Sequence, residues 1–210
     1  MLAFGSCSKN NSTPEPQKDD NTITINGTAY PTITIGNQVW TSVNYAGPGG
    51  KDADPSVDAK TYGKYYAASD LSTITLPAGW RIPTREDFNT LLKSFPEAIL
   101  VSGNYIAFKT ASEALRSTTG WPKGNGNNLS GFNAAAAGDF STVGMKTYNI
   151  GDQAAFMSST PDAAAGSTLG NYVLNLFAPL SPEGTTRDYQ CLVAPYPVSI
   201  MTSLRFVKDK

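Results

Sequence analysis

Asp52, Asp54 and Asp58 stand close together in one short loop, and carboxylates spaced at alternate positions are the oxygen donors that calcium takes. The Gly-x5-Glu continuation of an EF-hand does not follow, so the stretch 46–60 reads as a solvated loop and no metal is assigned. Glycoside hydrolysis needs two carboxyl groups that converge. Glu86 and Asp87 suit a helix start better, and nothing around Glu97, Glu113 or Asp139 brings those three together. The chain has no histidine, which removes the usual general base, proton shuttle and commonest transition-metal ligand at once. Recognition chemistry is better represented. The rings of Trp121, Tyr62, Tyr65 and Tyr66 can stack on a sugar, and the amides of Asn125, Asn127 and Asn128 can hydrogen-bond one. Trp121 has a second reading as the staple that holds down the loop it begins. No catalytic residue and no cofactor is assigned.

The elements that must position these groups are organised around residues 76–95, LPAGWRIPTREDFNTLLKSF. Pro77, Gly79 and Pro83 forbid regular structure there, while Trp80 and Ile82 give the turn two apolar anchors. Thr84 is a good N-cap, with Glu86 and Asp87 placing negative charge at the positive end of the helix dipole. Phe88, Leu91, Leu92 and Phe95 then fall on one face, and Pro96 ends the helix.

Ahead of that helix, residues 22–43 repeat TITING as TITIGN, with hairpin signals at Asn26-Gly27 and Gly36-Asn37, which predicts a three-strand meander. Tyr62, Tyr65 and Tyr66 precede a short helix or turn, and some of these rings are expected at the surface because a buried phenol needs a partner. Behind the helix, residues 111–116 predict a short second helix with Leu115 inward. Residues 117–156 form a forty-residue run of Gly, Asn, Ala, Ser and Thr with scattered aromatics, read as a long loop that is functional, or held by its own aromatic staples, or both. Strands are predicted at 172–177, 189–193 and 198–207, the last with Val198, Ile200, Leu204 and Phe206 on one face. Cys191 sits in mid-strand as a small buried apolar residue.

With 210 residues the chain suits one domain plus a tail. The 16 basic and 17 acidic residues are balanced and form no cluster, so nucleic acid is excluded as a partner. No apolar run reaches the length of a transmembrane helix. Residues 1–7, MLAFGSC, resemble the end of a bacterial lipoprotein signal peptide with Cys7 as the lipid-attachment site. Phe4 stands where Leu or Val is usual, and the leader is expected to begin before Met1. Residues 8–21 are polar and carry two prolines, the composition of a disordered tether. Residues 22–210 are then one domain.

The segments TIGNQVWTSVNY, YGKYYAASDL, LPAGWRIPTREDFNTLL, LRSTTGWPKGNGNNLSGFNAAAAGDF, FMSST and SLRFVKD occur in that order. Together they resemble the Fibrobacter succinogenes major paralogous domain family, from about residue 33 to residue 209. The resemblance implies an α+β, C-type-lectin-like fold shared with the formylglycine-generating enzymes: small mixed antiparallel sheets, first and last strands paired, two helices and a long irregular loop region. Where the family commonly has Trp before a Ser-Ser pair and Cys in the last strand, Phe156-Met157 and Phe206 stand here, which puts any disulfide of that strand in doubt. The cysteine chemistry of the formylglycine-generating enzymes is not expected, because Cys191 is alone outside the tail. The Glu-Pro-Asn and Trp-Asn-Asp motifs of calcium-dependent lectins do not occur.

These readings predict a non-enzymatic lipoprotein of the cell envelope, on the outer membrane and facing the periplasm or the exterior, touching the membrane only through its lipid anchor. Its lectin-like domain binds a glycan or an envelope protein. The alternative is a structural or adhesive subunit of a surface or fimbria-like assembly.

Overall fold

Asn26-Gly27 and Gly36-Asn37 fold residues 22–41 back on themselves twice. In the computed structural model, which describes residues 21–52, 59–164, 167–179 and 190–210, this makes strands β1 (Thr22–Ile25), β2 (Thr28–Ile35) and β3 (Gln38–Thr41), each antiparallel to the next. Asn26 and Gly27 both have positive φ, +49° and +79°, as a type I′ hairpin turn demands. Further along lie β4 (Lys51–Asp52), α1 (Ala59–Tyr62), β5 (Lys64–Tyr65) and a 3-10 turn at Ala68–Thr73. After them come α2 (Arg85–Lys93), β6 (Ile99–Val101), β7 (Asn104–Ala107) and α3 (Lys109–Leu115). The rest is strand and loop: β8 (Asp139–Ser141), β9 (Lys146–Tyr148), β10 (Gln153–Pro161), β11 (Leu169–Phe177), β12 (Cys191–Pro197), β13 (Ile200–Met201) and β14 (Val207–Asp209). The chain is mixed α+β, built of small antiparallel sheets with few helices.

The closing strand comes back to the opening ones. β14 pairs antiparallel with β3, Val207 opposite Trp40, and completes a four-stranded sheet in the order β1-β2-β3-β14. The last strand therefore shares a sheet with the first but lies beside the third.

Helix α2 forms as its sequence dictates. Thr84 accepts the amide of Asp87 and the Asp87 side chain accepts the amide of Thr84, a reciprocal capping box. Phe88, Leu91 and Leu92 are fully buried, and Phe95 packs half-buried just past the helix end. Asp87 does more than cap: it also accepts from Gln38 Nε2 at 3.1 Å and from Arg81 Nη2 at 2.6 Å, while Arg81 reaches Asp209 of β14 at 2.7 Å. One carboxylate thus ties the helix and the elbow to β3, and through Arg81 to the paired residue Asp209 on β14.

Helix α2 packs on a five-stranded antiparallel sheet in the order β10-β11-β12-β7-β6. The second helix appears as read, with Leu115 inward, and Cys191 is buried in β12, where burial pushes its thiol up to about 12. Two sequence readings are corrected. The single strand expected at 198–207 is broken into β13 and β14, because the chain crosses from β8 past isolated bridges at Thr202 and Ser203 to β3. Val198 consequently lies outside the strand face and is largely exposed. The loop expected over 117–156 contains the hairpin β8–β9 and the start of β10.

That segment is also not a surface coil throughout. Phe132, Ala134, Ala135, Ala136 and Ala137 are buried, and Phe132 meets Trp40 and Phe156 edge-to-face at 5.7 and 5.4 Å in the middle of the main core. Alanines allow this close passage, and Gly138 continues it: with φ +67°, a Cβ there would sit 2.0 Å from the Tyr148 carbonyl. A second cluster gathers Ile23, Ile25, Tyr30, Tyr45, Tyr66, Leu204 and Phe206, and a third Tyr65, Ala137 and Phe140.

Candidate functional site

The sequence singled out rings and amides, and the structure distributes them over separate places. Trp121 is 1% exposed; its indole N–H is shared between Ser117 Oγ and the Ala134 carbonyl, each at 3.1 Å, and the Arg116 guanidinium lies over its ring. Tyr65 and Tyr66 have no exposed surface. The expectation that some of these rings stay at the surface fails for these two because each hydroxyl finds a backbone acceptor, Ala137 for Tyr65 and Gly47 for Tyr66. Tyr62 is half-buried, and its own carbonyl accepts from Asn44. Trp121, Tyr65 and Tyr66 are enclosed, and a ring enclosed on all sides offers no face for a sugar, whereas Tyr62 keeps part of its surface open.

The three asparagines are loop carpentry. Asn125 Oδ1 accepts the Trp121 amide, Asn127 Oδ1 the Leu129 amide and Asn128 Oδ1 the Asn133 amide, and Asn128 has φ +49°. Of the aspartates at 46–60, Asp52 is exposed and pairs with Lys64 at 3.2 Å, whereas Asp54 and Asp58 lie outside the described residues. Cys7 and the tether also lie outside them. No three His, Cys, Asp or Glu side chains converge for a metal among the described residues. The carboxylates are engaged one by one: Glu86 with Asn89, Glu97 with the Ala111 amide, Glu113 with Lys109, and Asp139 with Asn149.

Two features were missed by the sequence reading. The first is Arg205, 1% exposed, whose guanidinium donates to Asn44 Oδ1 and to the carbonyls of Thr41, Phe132 and Asn133 at 2.8–3.1 Å. It also lies over the rings of Phe132 and Phe156. Burial pushes it down to about 9, still cationic at neutral pH. No periodicity marks a cation of this kind, since it fills a gap created by the long segment turning inward.

The second is the hairpin β8–β9. Asn149 donates to the Asp139 carboxylate across its base; burial raises that carboxyl and the amide opposes the rise. Gly138 donates to the Gln153 carbonyl, and Thr142 donates through both its amide and its hydroxyl to the Ser199 carbonyl, so the hairpin is braced from both sides. On this frame stand large apolar side chains that are mostly exposed: Val143 is 83% exposed, Met145 68% and Val198 70%. Leu169, on the strand end paired with Pro197, and Tyr148 extend the patch. A cluster of large apolar groups on a braced surface is what a binding face requires, and single exposed residues scattered elsewhere do not have that meaning. No single residue in the sequence signals it, because TVGMK looks like any hairpin tip until Val198 is brought beside it.

The chain has no match among curated proteins and none among solved structures. The model of the Fibrobacter succinogenes major domain matches residues 33–208, which includes α2, the inward-turning segment, the braced hairpin and the start of the returning strand β14. Over most of its length, therefore, the chain belongs to the Fibrobacter succinogenes major domain family.

Proposed function

We propose that the chain is a non-enzymatic binding module of the cell envelope, anchored to the outer membrane through lipid on Cys7, that engages a protein partner through the β8–β9 hairpin and the turn at Val198. The observation that carries this is the exposure of Val143 and Met145 on a hairpin braced at its base and flank, and of Val198 on the turn that leads into the strand paired with that hairpin. Val143, Met145 and Val198 outweigh the one exposed ring near them, Tyr148, which favours a protein over a glycan, because sugar faces are met by exposed aromatic rings and Trp121, Tyr65 and Tyr66 are enclosed. The C-type-lectin-like arrangement belongs to the same reading; the return of β14 to the opening meander supports it.

A photo-crosslinking residue placed at Val143 or Val198 in whole cells is expected to give one discrete adduct, the same at both positions and missing at exposed Thr90 on α2. Val198→Glu should abolish the adduct at position 143. Adducts that are absent at both positions, or equal at position 90, overturn the reading, as does a glycan bound equally well by Val143→Glu and Val198→Glu. In the same cells, fatty-acid label is expected on the wild type and lost in Cys7→Ser. An unlabelled wild type removes the anchor alone.

A further inference from the structure

A different surface carries a second interaction. Strand β6 is the outer strand of the five-stranded sheet, and its three residues are apolar and exposed: Ile99 48%, Leu100 62% and Val101 43%. Edges of this kind are normally guarded by Lys, Pro or a bulge. None of these lies within Ile99-Leu100-Val101.

The hydrogen-bond phase of the β6–β7 hairpin fixes what this edge presents. The turn is two residues, Ser102 and Gly103, both with positive φ, so Val101 and Asn104 form the hydrogen-bonded pair that closes it and Leu100 opposite Tyr105 is a non-hydrogen-bonded pair. The Tyr105 amide accordingly points away from β6, to Asn89 Oδ1 at 3.0 Å. By the same alternation, the N–H and C=O of Leu100 point outward from the sheet edge.

We propose that this edge pairs with β6 of a second copy of the chain, antiparallel and two-fold, with Leu100 opposite Leu100 on the axis. Two observations select a second copy as the occupant. The outward pair sits on the central residue of the strand, so two identical edges exchange both bonds without a register offset. The mirrored positions Ile99 and Val101 are uncharged, so the symmetry sets no like charges against each other. Both five-stranded sheets then become one continuous sheet. The contact is small, so the association is weak and grows with local concentration.

The test is disulfide capture in the full chain carrying Cys7→Ser, in which Cys191 is buried and silent. In a hydrogen-bonded antiparallel pair the facing Cα atoms are about 5.5 Å apart, inside the window of about 4.4–6.8 Å for a disulfide. Leu100→Cys is therefore expected to form a linked dimer roughly tenfold faster than Leu129→Cys, a more exposed loop position outside the strands. A mixture of Ile99→Cys and Val101→Cys should cross-link faster than either alone, because the register sets those two positions opposite. Leu100→Glu should shift the wild type's concentration-dependent sedimentation to that of a monomer. Equal rates at positions 100 and 129, or no advantage of the mixture, overturn the proposal. So does capture of another protein by Leu100→Cys on cells without a homodimer. Val143→Glu, which tests the hairpin reading, leaves this dimer unchanged, so the two readings fail separately.

Discussion

Arg205→Met is expected to lower the stability of the domain by about 3–5 kcal/mol, the cost of removing one side of a buried charge-assisted network. For a chain of this size that corresponds to a fall in Tm of about 10 °C. Methionine approximates the volume, so the loss comes from the acceptors left behind: Asn44 Oδ1 and the carbonyls of Thr41, Phe132 and Asn133. These acceptors come from β3 and the turn that follows it and from the inward-turning segment, so one guanidinium joins the two. Arg205→Lys is expected to recover less than half of the loss. An ammonium on a flexible stem cannot spread three directions of bonding in one plane or lie flat over Phe132 and Phe156. Equal urea midpoints for wild type and Arg205→Met show that the network contributes nothing net.

Asp87→Asn should cost about 2–4 kcal/mol at neutral pH, part from the lost capping box and part from the charge-assisted bonds to Arg81. Burial alone would raise this carboxyl, but Arg81 and the amide and hydroxyl of Thr84 outweigh it and hold it below the usual carboxylate range. The sign of the pH effect follows. A carboxyl lower in the folded than in the unfolded chain stabilises fully above its unfolded value, about 3.9, and loses that contribution as pH falls through the folded value. The gap between wild type and Asp87→Asn in denaturant midpoint is therefore constant from pH 7 to 5 and closes below pH 4. A gap that stays constant into acid assigns the whole loss to packing. Asp209, also held by Arg81 but 78% exposed in its side chain, should contribute under about 1 kcal/mol.

The two variants mark what the sequence did and did not make legible. Asp87 is written into its neighbourhood: Thr84 three residues before it and a helical stripe after it announce a cap, and only the reach to Arg81 and Asp209 needed coordinates. The meander was readable from Asn26-Gly27 and Gly36-Asn37 for the same reason, since turn chemistry is local. Trp121, Tyr65 and Tyr66 went the other way. Each is a residue type at home in a sugar site or in a core, and the choice was made by a carbonyl more than ten residues distant, Ala134 or Ala137 or Gly47. The asparagines of the loop read as ligand donors because their backbone partners were invisible. Val143 and Val198 belong to one surface only because β13 comes to lie against β8, a pairing across about sixty residues of chain.

The pairing of β14 with β3 has a consequence for how the molecule comes into being. A meander with an open flank forms early, yet its fourth rung is supplied from more than 160 residues further along, with Val207 opposite Trp40. Loop closure over that span is slow and is settled only when the late segment arrives. During synthesis the Trp40 region therefore waits unzipped, and a chain halted before residue 207 presents a raw sheet margin to chaperones and proteases instead of a finished domain.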